Sequence, residues 1–84
     1  MADKKIGKVI HFYDKLLVAI VKLEDDLKIG EEIKIVKGNN EFTQKVESMQ
    51  VEHKPVAEAK KGSEVGVKVN QEAQKGAKVY KVSE

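Results

Sequence analysis

The chemistry open to this chain starts with two histidines. His11 stands in His11-Phe12-Tyr13-Asp14-Lys15, and His53 in Glu52-His53-Lys54-Pro55. An imidazole can shuttle a proton or ligate a metal near neutral pH. A shared metal would draw on His11, His53 and a carboxylate such as Glu52 or Asp14. Structural zinc takes four ligands, often with cysteine, at close local spacing. The chain has no cysteine, and its two histidines are far apart in sequence. The expectation is therefore no metal and no cofactor. Nucleophilic catalysis has no better footing. There is no Gly-x-Ser-x-Gly elbow, and Ser48, Ser63, Ser83 and Thr43 have no base beside them in sequence. Carboxylate pairs such as Asp25-Asp26 and Glu31-Glu32 fall in polar stretches where solvation accounts for them. No catalytic residue is expected, and the chain reads as a non-enzyme.

Recognition is what remains. His11 and Tyr13 could offer ring faces to a base or peptide, with Lys15 as a phosphate contact. Strand alternation supplies the plainer reading, in which Phe12 packs inward while His11 and Tyr13 point to solvent. A second cluster, His53, Lys54, Lys60 and Lys61, surrounds Pro55 and could meet RNA or an acidic protein surface. Glu52 and Glu58 dilute its charge. The net charge is only +2, and all 16 basic residues are lysine. Without the guanidinium fork, sequence-specific base readout is disfavoured. Any RNA contact would be weak, salt-sensitive and indifferent to sequence.

These groups must be positioned by a small body. The 84 residues make a single domain, residues 1–84. The absence of cysteine removes the disulfide staples of small secreted scaffolds and suits a reducing cytoplasm. No apolar signal segment follows Met1. The longest apolar run, Leu16 to Val21, has six residues, against about 20 for a membrane helix. No membrane contact is expected.

The chain reads as strands, because valine and isoleucine dominate its apolar residues and β-branched side chains favour pleated surfaces. Strands are expected over Ile6–Tyr13, Leu16–Leu23, Glu32–Lys37, Phe42–Val51, Glu64–Val69 and Ala77–Val82. Asp14-Lys15 would join the first two. Both faces of the second are apolar, so it is buried on both sides or meets a partner. The fourth would bend near Ser48-Met49 and close at Pro55, with one helical turn over Val56–Lys61. Gly30 is expected in a turn that a β-branched residue cannot comfortably adopt. Six strands of this spacing predict an all-β fold, a small closed six-stranded β-barrel, with a two-layer sandwich as its main structural competitor.

Several segments resemble the β-barrel second domain of elongation factor Tu and related translational GTPases. They are Ile6-Gly7-Lys8-Val9-Ile10, Ala19 to Ile33 with its Gly30-Glu31 turn, Val46 to Gln50, Ala59 to Val69, and Val79 to Val82. A similar barrel occurs as a C-terminal domain in collagenase-like peptidases. The phosphate loop and guanine-reading motif of a GTPase are absent, so no nucleotide is expected. The resemblance implies a non-catalytic, stand-alone translation-factor-like module that docks on RNA or a ribonucleoprotein, ribosome or tRNA. Its alternative is a protein-interaction subunit acting beside an enzyme such as a collagenase-like peptidase. The doubly apolar second strand and exposed aromatics would then mark the partner surface.

Overall fold

The computed structural model describes residues 4–52 and 54–82. They hold ten strands and no helix: β1 Lys4–Tyr13, β2 Val18–Leu23, β3 Leu27–Lys28, β4 Glu32–Lys37, β5 Asn40–Lys45, β6 Met49–Val51, β7 Lys54–Val56, β8 Glu58–Ala59, β9 Glu64–Lys68 and β10 Lys78–Lys81. Eight form one antiparallel sheet in the order β5-β4-β10-β1-β2-β9-β6-β7. β3 and β8 make a separate two-stranded ladder that pairs Leu27 with Ala59.

Alternation decides which residues face inward. In β4 the buried residues are Ile33 and Ile35; in β2 they are Ala19, Val21 and Leu23. Val65 and Val67 of β9 and Val79 of β10 complete the same layer. β1 is long enough to pair on both sides, with β2 and β10. Its register shifts between Lys5 and Gly7 and again between Val9 and His11. Such bulges bend a strand and add twist, so β1 curls the sheet around its valine-rich inner face. Gly7 sits at the first bulge because a Cβ there would lie 2.5 Å from the Lys22 carbonyl oxygen.

The closed six-stranded barrel is corrected to an open eight-stranded sheet. The expected fourth strand is interrupted at residues 46–48. There the Val46 N–H bonds to the Glu31 carbonyl and the Ser48 carbonyl accepts from Lys68 N–H. The stretch before the break therefore pairs with β4, the stretch after it with β9, and no ladder joins β5 to β7. A side chain instead links β5 to the end of β9. Gln44, 8% exposed, donates from Nε2 to the Lys68 carbonyl at 2.8 Å. Its Oε1 accepts from Asn70 N–H, also at 2.8 Å.

Three further expectations change. The helical turn over Val56–Lys61 is instead the end of β7, β8 and a turn, with Ala59 drawn into the core. Pro55 does not close a strand but lies within β7, at the end of the strand order, where a missing N–H is tolerated. The first hairpin turn is longer than Asp14-Lys15 and runs through Leu17. Leu17 has φ of 53°, unusual for a side chain with a Cβ. Its carbonyl accepts from Val69 N–H at 2.8 Å, which ties the turn to the end of β9. Gly30 has φ of 96°, as the sequence predicts.

Candidate partner-binding face

The outer face of β1, β2, β9 and β6 carries a row of side chains fixed by register. Tyr13 lies opposite Val18, His11 opposite Ile20, Ile20 opposite Gly66, and Gly66 opposite Gln50. Gly66 has no side chain, so its neighbours lean over it. A Cβ there would meet Gln50 Cγ and Val18 Cγ1 at 3.3 Å and Ile20 Cδ1 at 3.4 Å. Gly66 is thereby covered, and above Val18, Ile20 and Gln50 the outer face carries a groove of about 740 Å³. Val18, Ile20, Val51, Tyr13 and Leu16 form its apolar wall. Lys22, Glu52, Ser63 and Glu64 form a rim of mixed charge. Leu16 is 61% exposed and Tyr13 46%, on a turn held by the Leu16 N–H to Tyr13 carbonyl bond. Large apolar side chains gathered on one solvent face, rimmed by charge, are a feature of docking surfaces.

The residues singled out from sequence are divided by the fold. His11 and Tyr13 are exposed neighbours, their rings 4.5 Å apart at 61°, edge to face. Phe12 turns inward and packs against the core, as alternation requires. Lys15 is exposed on the adjoining turn. Lys54 lies on β7, and Lys60 and Lys61 follow β8. Lys60 is matched to Glu58 at 3.4 Å, and the backbone N–H of Lys61 is bound by Asp26 at 2.9 Å. His53 lies outside the described residues. Of the named set, Tyr13 lines the groove. Val18 and Ile20 belong to the doubly apolar second strand that the alternative reading marks as a partner surface, whereas Val51, on β6, was not singled out. The covering of Gly66 by Val18, Ile20 and Gln50 was not legible, because these neighbours come together across strands.

Ionisation is perturbed away from this face. Asp25 is held below the usual carboxylate range, first by its hydrogen bond from Lys4 and then by Asp26 N–H at 2.8 Å. Lys4 is raised in turn by the same bond. Among the described residues no three His, Cys, Asp or Glu side chains gather as a metal would need.

Fold and face together define an antiparallel β module with an apolar groove on its outer face. Comparison with known proteins adds its setting. Over 81 residues, 95% of the chain, it is 46% identical to an uncharacterized protease of Methanocaldococcus jannaschii. The chain spans 20% of that protein's length. Its fold matches the crystal structure of the C-terminal domain of a Geobacillus thermoleovorans protein assigned as a U32 peptidase. The TM-score is 0.86 at 19% identity, covering 95% of this chain and 93% of that one. A selenomethionine form of the same domain matches with a TM-score of 0.85 at 19% identity, covering 92% and 98%. No family model matches the chain.

The peptidase-domain half of the sequence resemblance stands, and the translation-factor half is corrected. These relatives are a protease and a peptidase domain, so the elongation-factor, ribosome and RNA-binding assignments fall. The misreading has a physical origin. Glycine turns feeding alternating strands describe how a small β fold is built, not what its outer face touches.

Proposed function

We propose that this chain is a non-catalytic accessory module that docks on a polypeptide partner in the setting of a U32-type peptidase. The groove along Val18, Ile20 and Val51 carries the reading: its apolar wall and mixed-charge rim suit a protein surface. The likeness to a segment of a protease and to a peptidase C-terminal domain supports the setting. The cysteine-free composition suits a reducing cytoplasm.

The test uses the tagged chain as bait in native lysate, with and without nuclease, beside an Ile20→Lys variant. Ile20 is half-buried on the outer face, so the variant should keep its fold, checked by thermal melting. The expected result is a peptidase-type chain captured by wild type, retained after nuclease and lost with Ile20→Lys. Capture that vanishes with nuclease, or that Ile20→Lys leaves intact, overturns the proposal. So does casein hydrolysis by the purified chain that a point substitution abolishes.

A further inference from the structure

Three lysines stand in one rank on the outer face. Lys8 of β1 lies directly opposite Lys22 of β2 on one side and Lys78 of β10 on the other. All three are exposed, while Gly7, Val9, Val21, Leu23, Ala77 and Val79 beside them in the chain are buried. The three ammonium groups therefore share the solvent side. Neighbouring strands lie about 4.8 Å apart, so the rank spans about 10 Å. Like charges directly opposite each other disfavour folding.

Acidic compensation is thin on this rank and ample beside it. Lys5 meets Glu24 at 3.5 Å, Lys34 meets Glu41 at 3.0 Å and Lys81 meets Glu31 at 3.1 Å. Among the described residues Lys22 has Glu64 at 4.0 Å and the Gly62 carbonyl at 3.2 Å. Lys8 and Lys78 make no ion pair among the described residues, and beyond Lys78 the rank continues to Val36. The rank also abuts the groove. The next outward residue on β2 after Lys22 is Ile20, about 7 Å along the strand, and Lys22 itself forms part of the groove rim.

We infer that this rank and the groove beside it bind one polypeptide segment carrying carboxylates next to a large apolar side chain. The carboxylates meet Lys8, Lys22 and Lys78, and the apolar side chain settles in the groove against Val18, Ile20 and Val51. An apolar wall bordering a cationic rank suits side chains of mixed character better than a uniformly charged polymer. The inference rests on the docking reading above and gives its partner a chemistry.

The probe is a labelled synthetic peptide, Gly-Ser-Glu-Glu-Leu-Phe-Glu-Glu-Gly-Ser, followed by fluorescence anisotropy against the full chain. Its counterparts replace every Glu by Lys, or Leu-Phe by Ser-Ser. Wild type should bind the acidic apolar peptide saturably and the two counterparts more weakly. Lys8→Glu with Lys78→Glu should weaken binding by roughly tenfold or more, and should now accept the lysine peptide. Lys75→Glu, on the loop after β9, should change nothing. Binding that ignores the Lys8 and Lys78 substitutions overturns the inference, as does equal binding of the lysine peptide by wild type. Displacement of the peptide by an equal concentration of single-stranded RNA also overturns it. If Ile20→Lys abolishes capture of the partner while the lysine variants do not, the docking reading stands and the acidic chemistry falls. If neither class of variant affects capture, both fall.

Discussion

Gly7→Ala should be among the most damaging single-methyl changes this fold can receive. Gly7 is buried in β1, opposite Leu23 on one side and Val79 on the other. The added Cβ would stand 2.5 Å from the Lys22 carbonyl oxygen, 2.9 Å from Val21 Cγ1 and 3.2 Å from the Lys22 carbonyl carbon. A comfortable carbon–oxygen contact is about 3.3–3.6 Å, so about 0.8–1.1 Å must be found. Two of the three obstacles are backbone, and no rotamer change relieves them. β1 must move off β2 in the middle of the sheet. Overpacking of this kind costs about 3 kcal/mol. The alanine returns roughly 0.5–1 kcal/mol by restricting the unfolded chain, which leaves a loss of about 2 kcal/mol. For a domain of this size that lowers the melting temperature by about 8–16 °C. Circular dichroism melts of wild type and variant at equal concentration measure it. Gly66→Ala is the internal control, because the three nearest atoms to its Cβ, at 3.3–3.4 Å, all belong to side chains and not to backbone. It should shift melting far less, because those side chains can give by a few tenths of an ångström. A Gly7→Ala protein that melts within about 2 °C of wild type would refute the reasoning about backbone contact.

Gly30→Val should cost about 1–3 kcal/mol, by denaturant titration, purely through backbone strain. Gly30 has φ of 96° with open space where its Cβ would be, so an unchanged midpoint sinks that account. Gln44→Ala should cost about 1–3 kcal/mol, because it strips partners from the Lys68 carbonyl and Asn70 N–H. A near-neutral result would mean that water replaces both bonds. Asp25 has its folded pKa depressed by Lys4. Its stabilisation is therefore present above the ordinary aspartate range and is lost as pH falls through the depressed folded value. Asp25→Asn should flatten the acid limb of a stability-versus-pH curve, and a limb identical to wild type refutes the contribution. Lys8→Gln should raise the melting temperature slightly by relieving cross-strand repulsion from Lys22 and Lys78. A fall instead would show that the lysine stem packs on the sheet.

Much of the inner face was legible because it follows a period of two. Glu32–Lys37 is a strand with the bounds that alternation gave, and Gly30 has the positive φ its turn required. What failed was non-local. Nothing between Phe42 and Val51 says that residues 46–48 give their backbone bonds to Glu31 and Lys68 instead of continuing a ladder. Closure of a sheet depends on that choice of partner, so an open sheet and a barrel look alike along the chain. The short strands β3 and β8 were invisible for the same reason: two residues carry no periodicity, and only the pairing of Leu27 with Ala59 makes them strands. The candidate face was half legible. Leu16 to Val21 announced a strand apolar on both sides, but its outer neighbours, Gly66 and Gln50, come from strands far along the chain.

The division between the two faces of β2 makes the functional argument testable without unfolding the protein. Ala19, Val21 and Leu23 point into the core and are fully or almost fully buried. Val18, Ile20 and Lys22 point out, and only they reach the groove. A surface kept for solubility alone would place charge at Val18 and Ile20 and alternate its signs across Lys8, Lys22 and Lys78. Cross-strand pairing rewards that arrangement. This chain does neither, on adjoining rungs of the same strands. The apolar wall leaves hydrophobic area in water, and the lysine rank sets like charges opposite one another. Both costs fall away when one segment covers both features, supplying an apolar side chain to the wall and carboxylates to the rank. Two unfavourable features that a single ligand would relieve together point to recognition more strongly than either would alone.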